Sequence, residues 1–175
     1  MRTCKLIFSL LIFAANGFGQ SSAIPAYHTQ TDFLLASPGS MGVGLYGYDN
    51  PAMLNVLHQP DLMLAWSDQY GKWNDPDRYG IFAAVPHLGF GVIHQPHPDY
   101  VATVSDYKLS TGFGSPSFSM GLSYGWSSGD TKIFKRENSF SLGYLVRPVP
   151  YVSLGLVGTA ATAGADSSIK PAAPI

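Results

Sequence analysis

The chain has 175 residues, of which 12% are charged and 13% aromatic, with 19 glycines and 13 prolines. This charged share is about half of that in an ordinary soluble domain, and a disordered chain would have few aromatics and a high net charge. A formal net charge of −1 excludes a broad basic surface for nucleic acid.

Residues 1–23 have the order of a secretory signal peptide. A short basic start precedes the apolar run LIFSLLIFAA at 6–15, and small residues follow it. The run is too short to cross a bilayer as a helix, which takes about 20 residues. Cleavage after Gly19 and cleavage after Ala23 both fit the pattern. The single cysteine, Cys4, lies in this segment, so the mature chain would have no disulfide or cysteine-based site.

Residues 24–60 form an N-terminal segment before the first strand. It includes the glycine-rich stretch MGVGLYGYDN and then Asn50 and Pro51, followed by AMLNVL. Asparagine is a favoured N-cap, and proline suits the first helical position. The sequence therefore predicts a short helix over 50–58, which Pro60 would end.

From 61 to 158, apolar residues recur at every second position, as in a β-strand with two different faces. In SFSMGLSYGWS at 117–127, large apolar side chains point one way and Ser or Gly the other. The pattern recurs in SFSLGYLV at 139–146. We count six or seven strands with short connections, which predicts an all-β, antiparallel fold. Residues 159–175 lose the alternation and are predicted to be a flexible tail.

The composition of the two strand faces favours a membrane barrel over a soluble sheet. Residues 79–98 and 109–129 contain no charge, while charges collect in the connections at 72–78 and 130–137. A charge on the lipid side of a barrel costs about 2–4 kcal/mol at mid-membrane and little at the interface. The predicted fold is therefore an antiparallel (partial) membrane β-barrel with a short N-terminal helix, placed in the outer membrane in contact with the lipid bilayer.

The segment GLYGYDNPAMLNVLHQPDLMLAW at 44–66 resembles the N-terminal region of the long-chain fatty-acid transporter-like barrels and of secretion-system barrel proteins. In those families a glycine-rich segment and an Asn-Pro-Ala turn lead through a short helix into the first strand, and Asn50, Pro51 and Ala52 carry the match. RPVPYVSLGL is similar to the family's proline-bearing periplasmic connection and the strand after it.

The resemblance, which covers about 44–158, implies that 24–60 is a plug-like segment inside the lumen. It further implies transport of a hydrophobic small molecule that would contact Asn50, Pro51 and Ala52. Barrels of these families are much longer than this chain, so we expect it to be a fragment.

No catalytic or metal-binding group is predicted. His94 and His97 are three residues apart and follow His87, but the intervening prolines indicate a loop instead of a zinc site. The nucleophile motif G-x-S-x-G is absent from the sequence. GVGLYG lacks the Lys-Ser/Thr pair of a phosphate-binding loop. We therefore expect a protein that is not an enzyme and has no cofactor.

Two alternatives remain open from the sequence. One is the barrel-like N-terminal region of an exported signal peptide peptidase, with the protease part absent, since some of these enzymes carry a similar region. The other is a secreted soluble β-sandwich that binds a partner, because alternation alone is equally expected of a sheet with one face in water.

Overall fold

The computed structural model describes residues 23–25, 45, 47–67, 77–97, 99–149 and 151–162. These residues form one antiparallel sheet in which each strand lies beside its neighbours in sequence. The fold is all-β and antiparallel, as predicted, and the sheet is open, with the first and last strands at its edges. The strands are β1 (Asp61–Ser67), β2 (Arg78–Val85), β3 (Leu88–Pro96), β4 (Thr103–Ser115), β5 (Phe118–Gly129), β6 (Ser139–Val149) and β7 (Val152–Ala161).

The two ends of the sheet have connections of different length. At one end, the turn end, pairs of residues join successive strands: 86–87, 116–117 and 150–151. Each pair begins with proline. At the opposite end, the loop end, the connections are 68–77, 97–102 and 130–138.

The first of the tight turns shows how these connections are fixed. Pro86 is followed by His87, whose φ of 71° is the left-handed conformation found at the third residue of a type II turn. Hydrogen bonds hold this unusual conformation for a non-glycine residue. The carbonyl oxygen of His87 accepts from Gly112 N at 3.1 Å and from the Thr111 hydroxyl at 2.9 Å.

The sheet has an inner face, which packs against Leu45 and residues 47–57, and an outer face, which no described residue covers as a second layer. Burial alternates along the strands. On β5 the odd-numbered residues are buried and the even-numbered residues are exposed or half-buried, as far as Gly125. The inner face of β5 and β6 is formed mainly by serine and glycine, whereas large apolar side chains occupy the outer face. The predicted faces of these two strands are confirmed.

Buried apolar side chains lie between the inner face and the N-terminal segment. One cluster joins Leu45 and Tyr48 to Phe82 and Ile93, with Met63 packed against it. A second cluster consists of Ala52, Met53 and Leu145, with Val56 packed against it. The described core is therefore a contact between one sheet and one chain segment.

Two predicted boundaries differ from the structure. The helix is one 3-10 turn, Pro51–Asn55, instead of a helix over 50–58. Its last hydrogen bond runs from Val56 N to Met53 O at 3.0 Å. The predicted tail begins too early, since β7 continues to Ala161 and pairs with Ser139. The remainder of that tail, 163–175, lies outside the described residues, as does the predicted signal segment before Ala23.

Candidate functional site

The Asn-Pro-Ala motif lies against the inner face of the sheet and is buried. Asn50 is 1% exposed and Ala52 0%. Asn50 acts as the predicted N-cap, because its Oδ1 accepts a hydrogen bond from Ala52 N at 3.0 Å. Its Nδ2 donates to the carbonyl oxygen of Tyr144 on β6 at 3.3 Å. One side chain thus both starts the 3-10 turn and fastens it to the sheet.

Three glycines on adjacent strands form the surface beneath this motif. In the strand register, Gly112 faces Gly121, and Gly121 faces Gly143. A Cβ atom at Gly121 would overlap the main chain of Pro51, and one at Gly143 would overlap Asn50 Oδ1. We call these three residues the glycine row. It lets the backbone of the N-terminal segment approach the sheet closely, which side chains would prevent.

Hydrogen bonds on both sides of the glycine row hold the same segment. The Ser110 hydroxyl donates to the carbonyl oxygen of Gly47. Asn55 Nδ2 donates to the Ser119 hydroxyl at 3.0 Å, and His87 N donates to the carbonyl oxygen of Leu54 at 3.2 Å. Residues 47–57 therefore contact β3, β4, β5 and β6. We call them the plug segment, after the plug that the resemblance implies.

A buried charged network lies beside the plug segment, nearer the loop end. Lys108, 7% exposed, donates from Nζ to the carbonyl oxygen of Tyr48 at 2.8 Å and lies 4.7 Å from the centroid of its ring. Asp106, 2% exposed, contacts three polar side chains. The two hydrogen-bond donors are Gln95 Nε2 at 3.1 Å and Ser127 Oγ at 2.6 Å, and the third side chain is Arg136, whose Nε lies 3.3 Å from Asp106 Oδ1 in an ion pair.

Burial also changes the acid–base behaviour of the plug segment. It raises the pKa of Asp49 from 3.8 to about 6, and the Lys108 ammonium partly opposes this. It also raises the pKa of the Tyr48 phenol well above its ordinary value, with Asp106 adding to the shift. Asp49 is therefore the group in this segment whose charge changes at mildly acidic pH.

The histidines that the sequence offered as metal ligands lie apart from this network. His94 is on the outer side of β3, where its Nδ1 is 2.8 Å from the Ser105 hydroxyl and its ring stacks on Tyr79 at 4.9 Å. His97 accepts from Asp99 N in the β3–β4 connection. Within the part of the chain that the structure describes, no three His, Cys, Asp or Glu side chains are grouped as metal ligands.

Sequence reasoning named Asn50, Pro51 and Ala52, and the structure brings all three together on the glycine row. The sequence analysis did not single out Asp106 and Lys108. Their alternation with Tyr107 and Leu109 was a usable signal, because placing those two on the outer face puts Asp106 and Lys108 on the inner face, where isolated charges need partners.

No protein-family model, curated protein or solved structure matches the chain. Among the described residues, no helix combines the length and the apolar character that crossing a membrane would require.

Proposed function

We propose that the chain is an outer-membrane β-barrel protein with a transport-like or structural role, and that the plug segment occupies its lumen. The observation that carries this proposal is the outer face. A soluble sandwich buries its apolar face against a second layer and leaves the polar face in water. Here the covered face is rich in serine and glycine on β5 and β6, and the opposite face, with its large apolar side chains, has no second layer among the described residues.

Every strand presents large apolar side chains on the outer face. Soluble monomers rarely expose contiguous apolar patches larger than a few hundred Å², and a face of this kind suits contact with lipid chains. Its exposed members are Leu62, Leu64, Trp66, Tyr79, Ile81, Val85, Leu88, Phe90, Leu109, Phe113, Phe118, Leu122, Tyr124, Phe140, Leu154 and Leu156.

The height of this apolar face fits a bilayer. On β5 the outward row runs from Phe118 to Trp126 without a polar side chain. Eight residue steps of about 3.4 Å give roughly 27 Å along the strand. At a tilt of about 40° this becomes roughly 21 Å along the membrane normal, close to the ~25 Å apolar band of outer-membrane barrels.

The ends of the sheet also match this class of protein. Bacterial outer-membrane barrels have short periplasmic turns and longer external loops, which assigns the turn end to the periplasm. Aromatic side chains suited to the membrane interface lie towards the loop end. Trp66 pairs with Tyr79 across β1 and β2, and the rings of Tyr107 and Trp126 stack at 5.5 Å.

Closure of the barrel needs further strands. β1 and β7 run in the same direction, because each of the six strand pairs between them is antiparallel. An antiparallel closure therefore takes an odd number of additional strands. Eight strands enclose a space that side chains alone fill, and the plug segment adds a main chain to that space. We accordingly propose at least three further strands.

The cargo that the resemblance implies is a hydrophobic small molecule. The apolar clusters around Tyr48 and around Met53 border the plug segment on the inner face, and displacement of this segment would expose them. Passage through the barrel would then depend on release of Asn50, Pro51 and Ala52 from the glycine row.

Membrane fractionation combined with a heat-modifiability gel tests the barrel. We expect the exported protein to resist extraction with alkaline carbonate, to dissolve in detergent and to migrate differently before and after boiling. Release by carbonate without detergent would contradict the proposal and favour the soluble sandwich.

Substitution of the motif tests the plug. Asn50→Ala removes both the cap to Ala52 and the hydrogen bond to Tyr144, and the combined variant with Pro51→Ala also loosens the turn. We expect a larger or less stable channel conductance in planar bilayers. Unchanged conductance and uptake in both variants would count against a plug.

A further inference from the structure

The two-residue turns lie at different levels of the sheet. Levels are compared along register rows, the lines of residues that face one another across paired strands. The row of Leu88, which follows the first turn, meets β4 at Thr111, four residues before that strand ends at Ser115. The row of Phe118, which follows the second turn, meets β6 at Val146, three residues before the end of that strand. The turn end therefore shifts by seven residues over four strands.

The apolar side chains of the outer face shift in the same direction at the loop end. On β2 they extend to Tyr79, whose row meets β5 at Ser128. On β6 they extend to Phe140, whose row meets β5 at Tyr124, four residues nearer the turn end. With strands about 4.8 Å apart and a rise of about 3.4 Å per residue, this shift corresponds to a slope of about 35°, and that of the turns to about 50°. The two slopes span the strand tilt of a barrel, which is typically ~35–45°.

A bilayer parallel to the register rows would not fit the outer face. Its apolar layer would have to extend from the row of Tyr79 to that of Val152, which is exposed at the start of β7. Leu154 shares a row with Phe118, ten residues from Ser128, and Val152 lies two residues further towards the turn end. Twelve steps span roughly 41 Å, well above the ~25 Å apolar band of outer-membrane barrels.

We propose that the strands cross the bilayer at a tilt of about 40°, so that the bilayer covers a diagonal band of the outer face, oblique to the register rows. This inference rests on the proposed barrel and identifies the residues that meet the lipid at each depth. At this tilt, moving along a row by one strand changes the depth by roughly 3 Å. Leu64 on β1 and Trp126 on β5 share a row, and the tilt places Trp126 about 12 Å nearer the external surface.

The chemistry of the outer face follows this diagonal. A midline drawn at that tilt through Leu122 passes aliphatic side chains on most strands. The outward residues nearest to it are Leu64 on β1, Ile81 on β2, Phe90 on β3, Leu109 on β4 and Leu156 on β7, and on β6 it passes between Leu142 and Tyr144. Aromatic side chains lie near both borders of the band: Tyr107, Trp126 and Phe140 towards the loop end, Phe113 and Phe118 towards the turn end. Outer-membrane barrels carry aromatic girdles at both interfaces.

Depth measurements on single nitroxide labels test the tilt. The labels are attached at Leu64→Cys and Trp126→Cys, which share one row, and at Leu156→Cys and Phe113→Cys, which share another. The full chain, in a Cys4→Ser background, is exported, purified in detergent and reconstituted into phosphatidylcholine vesicles. The ratio of nitroxide collisions with oxygen to those with a water-soluble nickel chelate reports depth. We expect the Leu64→Cys and Leu156→Cys labels near the midplane, and each row partner roughly 7–8 Å nearer a membrane surface.

The outcomes separate the tilt from the barrel itself. Equal depths within each row would overturn the tilt and leave a membrane barrel intact, and so would a deeper label at Trp126→Cys or Phe113→Cys. Labels that all collide freely with the nickel chelate would overturn both. Leu122→Cys and Leu88→Cys are a matched leucine pair two strands apart in one row. Their depths should differ by roughly 6 Å, which keeps the comparison available if a variant that loses an aromatic side chain fails to fold.

Discussion

Replacing Leu122 by arginine places a charge near the middle of the outer face. Leu122 is the central member of the outward row on β5 from Phe118 to Trp126, four residues from either end. Four steps are roughly 13 Å along the strand, or about 10 Å along the membrane normal at the usual tilt. Leu122 therefore lies near the midplane of the proposed apolar band.

The expected loss of stability follows from that depth. Arginine at the midplane of a barrel lowers the free energy of unfolding by about 2–4 kcal/mol, which lowers the folded-to-unfolded ratio about 30-fold to 900-fold. Ser128→Arg is the matched control, because Ser128 lies on the same face of the same strand, six residues towards the loop end. That position reaches the interface, where the cost is about 0–1 kcal/mol.

Chemical unfolding in lipid vesicles, read by the heat-modifiability gel, measures the difference between the two variants. If the outer face met water instead, Leu122→Arg would be a surface substitution worth within about 0.5 kcal/mol, because Leu122 is 38% exposed. Equal unfolding midpoints for Leu122→Arg, Ser128→Arg and the parent would refute the reasoning.

Three further predictions concern the inner face. Gly121→Ala should lower the free energy of unfolding by about 1–3 kcal/mol and expose the plug segment to added protease. Gly158→Ala is the control, because its Cβ would meet nothing within 4 Å, and it should behave as the parent. Equal protease sensitivity of the two variants would argue against close packing of the plug segment on Gly121. Arg136→Met should lower the free energy of unfolding by about 3–5 kcal/mol, because it removes the ion-pair partner of the buried Asp106 carboxylate. Asp106→Asn in that background should restore part of the loss, and strictly additive losses in a denaturant titration would oppose this. Burial raises the pKa of Asp49 to about 6, so the folded state binds more protons than the unfolded state between about pH 4 and pH 6. The free energy of unfolding should therefore fall as pH rises through that window. Asp49→Asn should flatten this dependence, and an identical slope in the variant and the parent would contradict the prediction.

The strands and their faces could be predicted because they depend on local alternation. In SFSMGLSYGWS each residue reveals its side of the sheet by its size, and the two-residue period persists through the whole segment. The N-cap of Asn50 was equally local, because an asparagine two residues before an amide donor can form that hydrogen bond in many folds.

The position of the plug segment on the sheet could not be predicted in the same way. Gly112, Gly121 and Gly143 are separated by up to 31 positions in the chain and become neighbours only through the register of two hairpins. The partner of Asp106 is likewise thirty positions away in Arg136. Such contacts depend on which strands pair and in what register, and a single sequence does not state the register.

The glycine row also bears on the order of assembly. Three facing glycines provide no cross-strand side-chain pairs on the inner face, and such pairs are the usual unit of sheet stabilisation. At the glycine row, the inner face of β4 to β6 therefore gains its contacts from the plug segment, which precedes these strands in the chain. Residues 47–57 would thus serve as an internal template around which the hairpins close, and a chain cleaved within them should lose its rigidity there even with every strand intact.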